Sequence, residues 1–145
     1  MSTELFPADA PATDPLEARV IAAYVSAGRT LDDLPYTVEF ESLGRDVRAC
    51  GVALSDRDLF HRLHNIRKAG RLPAIGARRS SPPRISEEEE QTLTQLVISA
   101  VGSTGKRDQL PYTPAFDTLA QRFNASIGRV LTPHDVWRLI AKLSK

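Results

Sequence analysis

Nine arginine and lysine residues stand between residues 47 and 84, against two acids. Cations gathered this densely suit an anionic partner, because their fields add over a surface patch. Residues 1–46 carry nine acids and three bases, and residues 85–145 carry seven of each. A net charge of +1 therefore conceals an acidic head and a basic middle. The competing reading is a surface whose charge is merely uneven.

Other chemistry is harder to assemble from these residues. There is no Gly-rich phosphate loop, no G-x-S-x-G and no paired-carboxylate constellation. Cys50 is the single cysteine. It excludes an internal disulfide, and with no base assignable to it, it reads as a small buried filler rather than a nucleophile. His61 and His64, three apart, can face one metal ion, but the sequence around them completes no ligand set. The run Glu87–Glu90 is accounted for as the first turn of a helix, where the dipole favours negative charge. Asp58 and Asp135 read as helix-capping residues rather than acids or bases. No enzyme activity, metal or cofactor is expected.

The elements that must carry these residues come from an internal repeat. The word LPYT occurs at Leu34–Thr37 and at Leu110–Thr113, a shift of 76 residues. The same shift sets Val25 on Val101, Phe40 on Phe116 and Leu43 on Leu119. After one inserted residue, Leu54 falls on Leu131, Phe60 on Trp137, Leu63 on Ile140 and Lys68 on Lys145. The spacing predicts three helices per copy. In the first, Leu16, Val20, Ile21, Tyr24 and Val25 make an apolar stripe ended by Gly28. The second helix starts after Thr37 or Thr113 as N-cap, with Pro114 at the first helical position. The third starts after Ser55 or Thr132, each followed three residues on by Asp. Phe60 and Trp137 fall inward. The expected fold is all-α: two tandem three-helix units over 14–72 and 86–145. A Pro/Ala-rich acidic segment (1–13) precedes them, and a basic Pro/Ser linker (73–85) joins them.

In this plan LPYT is a shared corner. Tyr36 and Tyr112 precede the caps and are expected to pack on Phe40 and Phe116 as a variant of the hydrophobic staple.

Three helices with a short turn between the second and third resemble the helix-turn-helix family. The stretch DLFHRLHNIRKAGRLP resembles the end of a winged-helix recognition helix and the start of its wing. DVWRLIAKLSK resembles the same helix with no wing behind it. The extended run RLPAIGA leaves room for a short wing on the first unit only. The resemblance implies a DNA-facing third helix. Its outward residues would be Arg57, His61, Arg62, Asn65 and Lys68 in the first copy, with Arg71 following. In the second they would be His134, Arg138, Ala141, Lys142 and Lys145. Arg and Asn can contact guanine and adenine edges, and Lys contacts phosphate. The linker residues Arg78, Arg79 and Arg84 would lie along phosphates or enter a minor groove, as extended basic arms do.

The expectation is therefore a small DNA-binding protein with a regulatory, architectural or accessory role. The rival is a helical adaptor or self-assembling subunit with a protein partner, in which acidic head and basic middle pair between copies. A computed isoelectric point near 7.9 favours that rival, since dedicated DNA-binding domains are usually more basic. No apolar run reaches the roughly 20 residues needed to span a bilayer. The N-terminus reads as neither secretory signal nor mitochondrial presequence. No membrane partner and a cytoplasmic location are expected.

Overall fold

The computed structural model describes residues 14–75 and 81–144. The protein is all-α: among the described residues there are six α-helices and two short 3-10 turns, and no β-strand. The helices are α1 (Pro15–Ala27), α2 (Val38–Arg48), α3 (Asp56–Lys68), α4 (Glu87–Val101), α5 (Pro114–Ile127) and α6 (Pro133–Ala141). The contacts divide the chain into two compact units. One is Met1–Thr30 with Val38–Arg78, and the other is Leu31–Thr37 with Arg79–Lys145. Chain order alone would leave residues 31–37 with the first unit, yet they pack in the second.

Local signals set the helix ends. Ser55 Oγ accepts from the Asp58 N–H at 3.1 Å, and Thr132 Oγ1 from that of Asp135 at 3.1 Å. Ser86 and Glu89 form a full capping box. Thr113 Oγ1 accepts from the Phe116 N–H at 3.2 Å, with Pro114 at the first helical position. Thr113→Ala is expected to cost about 1 kcal/mol, read as a shift of the urea midpoint at unchanged slope. Helix α3 closes at Gly70, whose φ of +77° is left-handed. There the Gly70 N–H donates to Arg67 O and the Arg71 N–H to Ile66 O, a Schellman closure.

In the first unit, Val20, Ala23 and Tyr24 of α1 pack with Phe40, Leu43 and Val47 of α2 and Leu59, Phe60, Leu63 and Ile66 of α3, all nearly inaccessible. Phe60 sits edge-on to Phe40, with ring centroids 6.5 Å apart. Gly44 leaves room beside it for Arg48. A Cβ there would lie 2.7 Å from the Arg48 Nη1. Arg48 folds across to donate to Leu54 O and to Asp56, fastening the α2–α3 turn to the start of α3.

In the second unit, Leu93 and Val97 of α4, Phe116, Leu119 and Phe123 of α5, and Val136, Trp137 and Ile140 of α6 make the core, joined by Leu31, Leu34 and Leu110. Arg107 is buried and donates to the carbonyls of Ile140 and Leu143, satisfying the C-terminal end of α6.

Two expectations are corrected. Residues 71–75 form no strand, so no wing is built there, and Gly76 and Ala77 lie outside the described residues. A wing strand needs a partner for its backbone groups, and no strand exists among the described residues to supply one. Cys50 is exposed, because it follows the last turn of α2 rather than facing the core. The Tyr36 ring stacks on Phe116, with centroids 4.6 Å apart, a contact between the two copies of the word. Tyr36 and Tyr112 have φ of +66° and +65°, a region where non-glycine residues are uncommon. Each tyrosine N–H then donates to the hydroxyl of the other, at 2.6 and 2.5 Å.

Candidate nucleic-acid interface

Helix α3 separates its two faces cleanly. Leu59, Phe60, Leu63 and Ile66 are buried, while Arg57, His61, Asn65 and Lys68 are exposed along one outward row. The spacing of this row, four, four and three residues, keeps it on one side of a 3.6-residue helix. Arg62 is half-buried beside it. His61, Arg62, Asn65 and Arg71 share a groove of about 450 Å³ with Glu17 and Asp58.

Acids temper this surface unevenly. Glu17 reaches Arg71 through two hydrogen bonds, with Nε to Oε2 at 2.6 Å and Nη2 to Oε1 at 2.8 Å. That bidentate contact holds the Glu17 carboxyl below the usual glutamate range, with the charges of Arg71 and Arg62 acting in the same direction. It also raises the Arg71 guanidinium above its ordinary value. Arg71 is therefore a fixed, compensated cation. Asp56 is engaged by Arg48.

A depressed carboxylate stabilises the fold above its unfolded pKa, near 4.3. That stability fades as pH falls through the lower folded value. Glu17→Gln is expected to lower the thermal midpoint at pH 7. The gap to the natural chain should close as pH drops from about 5 towards 3, in parallel melts followed by circular dichroism.

His61 and His64 do not converge. His64 is buried edge-on against Phe60, at 4.5 Å, with Arg67 Nη2 3.2 Å from its Nδ1, whereas His61 is exposed. Among the described residues no group of three or more His, Cys, Asp or Glu side chains is placed to hold a metal ion.

The outward placement expected of Arg138 and His134 is corrected. Arg138 is buried, with Nε 3.3 Å from Asp33 Oδ1 and Nη1 donating to Asp32 O at 3.3 Å. His134 is partly buried, with Nε2 3.4 Å from Asp33 Oδ1 and Nδ1 2.9 Å from Pro35 O. Both are turned into the second unit, where Asp33 is fully buried and Arg138 supplies its compensating charge. Ala141 is half-buried, and among the described residues of that set only Lys142 is exposed. Lys142 lines a separate groove of the second unit with Arg84 and Glu90. Arg78, Arg79 and Lys145 lie outside the described residues.

Arg67 was missed in the sequence. It is exposed one residue before Lys68, in the last turn of α3, and the Arg67-Lys68 pair gave the available signal. Glu17 was missed because it stands 54 residues from Arg71, beyond any local pattern. No helix among the described residues is long and apolar enough to cross a membrane. Comparison with protein-family models, curated proteins and solved structures found no match.

Proposed function

We propose that this chain is a small DNA-binding protein that lays α3 of its first unit against the nucleic acid. The observation that carries the reading is the exposed row Arg57, His61, Asn65 and Lys68, flanked by Arg62 and Arg67, on a helix whose opposite face is committed to the core. Of the acids near this row, Glu17 is paired with Arg71 and Asp56 with Arg48, while Asp58 stands exposed in the same groove. A cationic surplus then remains for phosphates, and Asn65 sits among the cations where a base edge would fall. The second unit contributes little to such a face through α6, since Arg138 and His134 are turned inward. On this reading its role is regulatory, architectural or accessory to a nucleic-acid process.

The test is a mobility-shift titration with duplex DNA at low and moderate salt. The natural chain should shift the duplex at low salt. A triple variant with Arg57, Arg62 and Lys68 replaced by Glu should not, while keeping its helical circular dichroism. A shift that is indifferent to these replacements would sink the reading.

A second reading, a helical adaptor with a protein partner, draws on one observation. Val38 is 70% exposed at the rim of a shallow groove of about 670 Å³ between α1 and α2, floored by Ala23, Ala27 and Leu43. Light scattering at low and high salt separates the two readings. A monomer at both counts against assembly through charge.

A further inference from the structure

The second unit holds residues 31–37 as a receptor holds a peptide. Side chains of α6 and of the second LPYT corner take hold of the segment's backbone. Trp137 Nε1 donates to Asp32 O at 2.9 Å, and Arg138 Nη1 reaches the same oxygen at 3.3 Å. His134 Nδ1 lies 2.9 Å from Pro35 O, and the Tyr36 N–H donates to the Tyr112 hydroxyl at 2.6 Å. Leu31 and Leu34 are buried as two apolar anchors, and the Asp33 carboxylate, fully buried, meets Arg138. The Tyr36 ring closes over Phe116. Backbone capture, two buried leucines and a charge lock are the parts from which peptide specificity is made.

We infer that the second unit is a peptide-recognition site for an acidic leucine segment of the pattern Leu-Asp-Asp-Leu-Pro-Tyr. In this chain it is filled in cis by Leu31–Tyr36, and in trans by the same segment of a second copy. Every contact is available to either source. The cis segment prevails by effective concentration, which for a short tether is about millimolar. Crowding of copies, or loss of the cis segment, opens the site to exchange. The contacts used here come from α6, Tyr112 and Phe116, so the inference stands apart from the DNA reading.

Trp137 is the single tryptophan and touches the segment, so its emission reports occupancy. In a full-length Asp33→Arg chain the segment's charge lock is reversed and the site should empty. Titration with a synthetic peptide of residues 29–38 should shift Trp137 emission saturably. The same peptide with Asp33→Ala should bind at least tenfold more weakly. If the Asp33→Arg chain loses its helical signal, recovery of that signal by the peptide supports the site equally. The milder Leu34→Ala chain then repeats the titration. Failure of the peptide to bind or refold either chain overturns the inference.

A complementary mixture tests the second-copy occupant. Asp33→Arg chains keep an intact receptor, and Arg138→Asp chains keep an intact segment. Each alone should be monomeric by light scattering, and the mixture should form a heterodimer. Peptide binding without heterodimers would overturn the second copy as occupant.

Discussion

Arg138→Met is expected to destabilise the protein by about 3–5 kcal/mol, the scale for removing one partner of a buried ion pair. Asp33 is fully buried and Arg138 nearly so, and they lie 3.3 Å apart. Without the guanidinium, the carboxylate keeps its desolvation cost, with the His134 Nε2 3.4 Å from its Oδ1. Asp32 O also loses one of its donors, though Trp137 remains. A double variant, Asp33→Leu with Arg138→Met, should recover most of the loss, because no buried charge is then left over. The two changes are thus strongly non-additive, and urea unfolding of the four chains measures the coupling. A loss below about 1 kcal/mol in the single variant would mean that water reaches Asp33 and that the lock is weak.

Much of the fold is readable from the sequence because it is written locally. Caps, glycine stops and apolar stripes lie within four residues of what they control, and Ser86, Thr113, Thr132, Gly28 and Gly128 act where their types and spacing place them. The inward Phe60 and Trp137 follow from helical periodicity in the same way. The departures are long-range. Asp33 meets Arg138 across 105 residues, and Tyr36 and Tyr112 exchange hydrogen bonds across 76. By periodicity Arg138 is an ordinary outward residue of α6. Only the arrival of a buried carboxylate from residues 31–37 draws it in. The LPYT word shows both effects. Thr113 caps its helix as local chemistry demands, while the reason for tyrosine is its partner tyrosine in the other copy of the word. The candidate interface divides along the same line: its α3 half follows from spacing, and its α6 half was lost to a contact that no local pattern encodes.

Affinity for duplex DNA, on the proposed reading, should fall roughly 100-fold between 50 and 200 mM salt. That value follows from a counterion-release slope of about −0.9 per phosphate neutralised and about four phosphate contacts. The four contacts are assigned to Arg57, Arg62, Arg67 and Lys68, all on α3. Arg71 is left out because Glu17 already compensates it through two hydrogen bonds. The assignment separates three single variants. Lys68→Ala should weaken binding alike for all sequences and reduce the salt slope by about one. Asn65→Ala should leave the slope unchanged and cost about 1–3 kcal/mol on preferred sequences only, since a base contact carries discrimination and no counterion. Arg71→Ala should change the slope less than Lys68→Ala, because the cation it removes is already paid for by Glu17. Binding curves at four salt concentrations, on two unrelated duplexes, resolve all three. Equal slopes for the natural chain and Lys68→Ala would remove α3 from the phosphate backbone, and with it the DNA-facing assignment of the row.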